Sequence, residues 1–124
     1  MSKKRVENYI PRAIEVLEKK FKNKAIPKEY NGYISAFGAG IIQNGLKPTV
    51  AIYENKQANN KSDKDVLTEI ILQIIDKDSK ENSLLRYILS SKEDEDILKE
   101  KIKDAAIAIK LSIRTFKLVE NKDK

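Results

Sequence analysis

The sequence predicts an all-α protein, a compact single-domain bundle of about five to six helices over residues 1–124. Three observations lead there. Apolar residues recur at steps of three and four along most of the chain. The short alternating runs that mark strands are scarce. A chain of 124 residues is also long enough for one core and too short for two.

The first helix carries Val6, Ile10, Ala13, Ile14, Leu17 and Phe21 on one face and ends near Lys24, ahead of Ile26 and Pro27. Pro11 lies within it. A proline ring clashes with the carbonyl one turn earlier, so this helix is either kinked or begins afresh with Pro11 in its first turn. A second helix is expected from about Lys28 to Asn44, with Tyr30, Tyr33, Ile34, Phe37 and Ile41 inward. Gly45 then stops it, because glycine just past a helix end takes the left-handed conformation cheaply. Leu46, Lys47 and Pro48 open a shorter helix reaching about Asn55.

Residues 55–63, NKQANNKSD, have no apolar anchor and read as a mobile loop. Ser62 or Asp63 caps a fourth helix over about 63–77, whose broad apolar face holds Val66, Leu67, Ile70, Ile71, Ile74 and Ile75. Leu84, Leu85, Ile88 and Leu89 mark a short fifth helix, 83–90. The last helix is expected to be the longest, about 92–119. Ser91 and Asp94 open it, the acidic run EDED at 93–96 sits at its positive end, and Leu98, Ile102, Ala105, Ile109, Ile113 and Phe116 point inward. Residues 119–124 are expected to fray.

The second helix poses a question, because Gly38 and Gly40 each cost about 1 kcal/mol relative to alanine in a helix interior. Close packing of a neighbouring helix would compensate, with Gly40 beside Tyr33 and Phe37, and with Gly32, Ala36, Ala39 and Gln43 forming a smooth opposite face. A docked partner or a passing phosphate backbone would compensate equally well.

Function is first narrowed by what is missing. The chain has no cysteine and no histidine, which removes thiolate chemistry, the commonest general base and the commonest transition-metal ligand. EDED is the one carboxylate cluster, and consecutive helical residues point to different sides, so it suits a helix dipole better than a metal. GAGIIQNG follows no strand and lacks the lysine and hydroxyl pair of a phosphate loop. No catalytic residue, metal or cofactor is therefore expected. No apolar run approaches the roughly 20 residues of a membrane span, and no signal peptide is evident, so the reading is of a cytoplasmic protein without a membrane partner.

Charge points to partners instead. There are 25 Lys and Arg against 19 Asp and Glu, and residues 1–30 hold nine basic against four acidic. That excess suits a polyanion, although solvated lysines in a lysine-rich composition would look the same. Arg5, Arg12 and Lys19 recur every seven residues, about 10 Å apart along one ridge of the first helix. Lys99, Lys103, Lys110, Arg114 and Lys117 form a second ridge on the last helix. Beside it Ile107, Leu111 and Leu118 make an apolar row suited to a protein partner, unless this helix is central and buried on two sides. Tyr30 and Tyr33 are placed either to stack on bases or to fill the core.

The stretch YNGYISAFGAGIIQNGLKPTVAIYENK, residues 30–56, resembles the signature region of the small all-helical subunit of type III-B CRISPR effector complexes, the fifth subunit of the Cmr assembly. The likeness rests on the small-residue helix around Phe37, Gly38 and Ala39, on the turn formed by Ile41, Gly45 and Leu46, and on the segment from Pro48 to Tyr53. It extends loosely to the basic first helix and to the closing IKLSIRTFKLVEN. The resemblance implies a non-catalytic subunit stacked in several copies beside guide RNA and target RNA, among other Cmr subunits. RNA contacts are then expected from Arg5, Arg12, Lys19, Lys47, Lys103, Lys110, Arg114 and Lys117, and protein contacts from Ile107, Leu111 and Leu118. The rival reading is a helical protein-interaction module with no nucleic-acid role.

Overall fold

A computed structural model describes residues 2–22, 25–55 and 64–119. Among the described residues the order is α1 (Lys3–Lys20), β1 (Ala25–Pro27), α2 (Glu29–Asn44), α3 (Leu46–Tyr53), α4 (Lys64–Ile75), α5 (Leu84–Ser90), α6 (Glu95–Ile113) and β2 (Lys117–Val119). Among the described residues the regular structure is helical apart from one small two-stranded parallel sheet. The proposed caps Ser62 and Asp63, the loop from residue 56 onward, the stop at Lys24 and the tail from residue 120 lie outside the described residues.

Ser2 caps α1, its hydroxyl accepting from the Arg5 amide at 3.2 Å. The helix runs unbroken through Pro11. Pro11 and Glu7, whose carbonyl loses its usual donor, are both exposed, so water can replace the missing bond. The buried stripe is Val6, Tyr9, Ala13 and Leu17, with Ile10, Val16 and Phe21 partly covered. Between α2 and α3, Gly45 has φ 94° and ψ 165°, an extended mirror-image conformation open only to glycine. The requirement for glycine is thus stricter than the left-handed turn that the sequence suggested.

One helix sits at the centre. α6 packs against α1 most extensively and also against α2 and α4. Leu98, Ile102, Ala105, Ala106, Ala108, Ile109 and Ile113 are buried on it, joining Leu17, Ile26, Phe37, Ile41, Leu67, Ile70, Ile71 and Ile74 in one core cluster. The helix is therefore central, yet Leu111 stays exposed on it and Ile107 half-buried, so its central place does not bury the apolar row.

The C-terminal end departs from expectation. α6 starts at Glu95 because the Asp94 carboxylate accepts from the Asp96 amide at 2.8 Å, and it stops at Ile113 rather than continuing to residue 119. The Ser112 carbonyl takes both the Thr115 amide, at 3.0 Å, and the Thr115 hydroxyl, at 2.7 Å. That local competition closes the ladder. The chain then extends into β2, pairing Ala25 with Lys117, Ile26 with Leu118 and Pro27 with Val119. The Lys28 amide donates to the Val119 carbonyl at 2.8 Å. Lys117 and Leu118 therefore belong to a strand and extend no helical ridge.

Candidate functional site

The three cations of the α1 ridge meet different surroundings. Arg5 donates to the Asp104 carboxylate at 2.8 Å, and that carboxylate is fully buried. The Ser2 amide approaches both Asp104 oxygens at 3.4 Å, so α6 holds the N-terminus of α1 through a charge-assisted cluster. Arg12 donates to the Ile74 carbonyl at 3.1 Å, serving an open acceptor in the last turn of α4, and lies 5.7 Å from the Tyr9 ring. Burial pushes the Tyr9 hydroxyl above its ordinary pKa, against the opposing pull of Arg5, Lys101 and Arg12. Only Lys19 faces solvent freely, in an exposed pair with Glu15 at 3.2 Å. The cleft beside it, about 690 Å³, mixes Arg12, Lys19 and Lys77 with Glu15, Glu69, Asp76, Asp78 and Glu81. It offers no single sign of charge.

The α6 row is arranged otherwise. Although three neighbours pack around it, the helix keeps an accessible stripe, where Lys99, Lys103, Ile107 and Lys110 are half-buried and Leu111 and Arg114 are exposed. Basic and apolar residues share this stripe instead of forming two separate rows. Lys103 is 3.5 Å from Glu100, whose carboxyl pKa it lowers. Lys117 and Leu118 are exposed on β2, and Lys47 at the start of α3 pairs with Glu95 at 2.8 Å.

Facing that stripe is the surface of α2. Gly32, Ser35, Ala36, Ala39 and Gln43 are exposed, so among the described residues no other helix covers the smooth face. The two glycines part company here. A Cβ on Gly40 would sit 3.0 Å from Cγ2 and 3.2 Å from Oγ1 of buried Thr49, which makes Gly40 a packing requirement of α3 rather than of Tyr33 and Phe37. A Cβ on Gly38 would meet nothing within 4 Å. Gly38 instead opens into a groove of about 200 Å³ between α2 and α6, lined by Ile34, Ser35, Ile42, Ala106 and Ile107, with Lys103 and Lys110 on one side. Ile42 is 71% exposed at its edge.

Tyr30 is buried in edge-to-face contact with Phe21 and Tyr33, and Tyr53 donates to the Tyr33 carbonyl at 2.8 Å. These rings fill the core. Three of the four EDED carboxylates are also placed structurally. Asp94 caps α6, Glu93 pairs with Lys101 at 2.8 Å, and Glu95 pairs with Lys47.

The family model for the CRISPR-associated protein Cas_Cmr5 matches residues 1–106. The chain belongs to the Cas_Cmr5 family. Membership makes it a CRISPR-associated Cmr subunit that assembles with other subunits of the Cmr complex. The Cas_Cmr5 match ends inside α6, so Ile107, Lys110, Leu111, Arg114, Lys117 and Leu118 lie beyond it. No significant match was found among curated proteins or among solved structures. Among the described residues no helix is long and apolar enough to cross a membrane.

Sequence reasoning missed Asp104, Tyr9 and Ile42. Asp104 had a legible signal, since a lone carboxylate within the apolar run from Ile102 to Ile109 needs a partner. Ile42 had one too, adjoining core residue Ile41 and therefore about 100° away around the helix.

Proposed function

We propose that this chain is a non-catalytic small subunit of a type III-B CRISPR ribonucleoprotein, stacking with other Cmr subunits and copies of itself along guide and target RNA. Membership in the Cas_Cmr5 family carries this reading. The lack of cysteine and histidine, together with the capping and pairing roles of Glu93, Asp94 and Glu95, supports the absence of catalysis. The proposed RNA-backbone contacts are Lys19, Lys47, Arg114 and Lys117, all exposed. Lys19 and Lys47 hold their present carboxylates in exposed pairs, which are worth little and exchange readily for phosphate. Arg5 and Arg12 would have to leave Asp104 and Ile74 to reach RNA, so their contribution is to position the fold.

The test is fluorescence anisotropy with short single-stranded RNA in low salt. Affinity should be weak, insensitive to sequence and steeply salt-dependent, because phosphate contacts release counterions. The triple replacement Lys19→Glu, Arg114→Glu, Lys117→Glu should weaken binding and flatten the salt dependence while leaving the circular dichroism spectrum intact. Unchanged affinity would favour the rival protein-only module.

A further inference from the structure

The groove between α2 and α6 has an apolar floor and a basic flank on one side. Its lining is Ile34, Gly38, Ile42, Ala106 and Ile107, and its polar side chains are Ser35, Lys103 and Lys110. Exposed Ile42 and Leu111 continue the apolar strip at the surface. An RNA backbone gains nothing from such a floor, and the nearby Tyr30 and Tyr33 rings that could stack on bases are engaged with each other. Contiguous apolar surface with a charged edge is what a protein partner requires.

Charge and spacing restrict that partner further. Lys103 and Lys110 are seven residues apart on α6, about 10 Å along its axis. A second helix laid along α6 repeats its own side chains over nearly the same interval, so carboxylates seven residues apart on it reach both lysines. Aliphatic residues between those carboxylates then enter the groove over Gly38, where the missing Cβ leaves room for close approach. The Lys103 pair with Glu100 is a neighbouring-turn surface contact at 3.5 Å and presents little competition.

Building on the Cmr-subunit reading, we propose that this groove receives an amphipathic acidic helix of a neighbouring protein subunit, and that Lys103 and Lys110 face its carboxylates rather than RNA phosphates. Gly38 is then a glycine for docking, whereas Gly40 is one for folding.

Labelled helical peptides of about 18 residues, or five turns, test this on the full chain. One carries a leucine ridge flanked by glutamates seven residues apart, and its counterpart has lysines in place of the glutamates. A short single-stranded RNA is the third probe. The acidic peptide should bind the unaltered chain, and both Gly38→Leu and the pair Lys103→Glu, Lys110→Glu should weaken it by about tenfold or more. The lysine peptide should prefer the charge-reversed pair. Gly38→Leu should leave RNA affinity and the urea midpoint undiminished and should prevent entry into the reconstituted Cmr complex. Loss of RNA affinity in Gly38→Leu, or no charge-swap rescue, would overturn the proposal. Entry of Gly38→Leu into the complex would overturn the groove while leaving the subunit reading intact. Failure of the unaltered chain to enter would instead overturn the subunit reading.

Discussion

The cations of α1 and those of α6 look alike as sequence, each set offering residues seven apart beside an apolar stripe, yet the fold uses them in different ways. On α1, Arg5 reaches the buried Asp104 carboxylate and Arg12 reaches the end of α4, so the ridge is largely turned to holding helices together. On α6, Lys103 and Lys110 flank an open groove and Arg114 is exposed. Heptad spacing reports that side chains share a face. It does not report what lies opposite that face.

The contrast breaks most readily at Arg5. Its replacement by alanine should cost about 3 kcal/mol, the low end for stranding a buried carboxylate, because the Arg5 side chain is itself 33% exposed. The double replacement Arg5→Met, Asp104→Leu should recover much of that loss in urea unfolding. A neutral Arg5→Ala would return the α1 ridge to the list of free cations.

The next largest effect concerns the glycine pair, which repeats the inward and outward contrast within two residues. Gly40→Leu should destabilise by about 2 kcal/mol through overpacking against Thr49. Gly38→Leu should leave the urea midpoint level or raise it, since helix propensity improves by up to about 1 kcal/mol and nothing obstructs the side chain. Equal losses at both positions would erase the distinction between a packed and an open face.

The smallest effect divides the α1 ridge itself. Arg12→Ala should cost about 1 kcal/mol, the usual net value of one hydrogen bond, here to the Ile74 carbonyl. Lys19→Ala, which removes only an exposed pair with Glu15, should stay within about 0.5 kcal/mol. Equal shifts in the two thermal transitions would mean that the Arg12 contact contributes nothing beyond its surface charge.

The helices were legible because their signals are local. Ser83 caps α5, Gly45 separates α2 from α3, and the apolar steps of α4 recur within a few turns. What stayed hidden was either too short or too distant. β1 and β2 have three residues each, less than a detectable period, and each makes sense only once the other is present. The end of α6 turns on one residue, Thr115, whose amide and hydroxyl both reach the Ser112 carbonyl. Arg5 and Asp104 are separated by 99 positions, so no window along the chain connects them. The candidate surface divided in the same way. Its basic and apolar residue types could be named, but the groove required knowing that α2 lies beside α6.

The central place of α6 also bears on the order in which the protein is made. The helix that α1, α2 and α4 all pack against leaves the ribosome after all three of them. Until then α1 has no Asp104 to hold its first turn, and β1 has no strand to pair with. The nascent chain therefore carries exposed apolar helix faces until α6 emerges, the state in which chains aggregate or recruit chaperones. Long-range contacts of this kind close late. A ribosome-arrested chain ending before Glu95 should accordingly be digested by protease along its whole length, and protection should arrive in a single step once α6 and β2 are free.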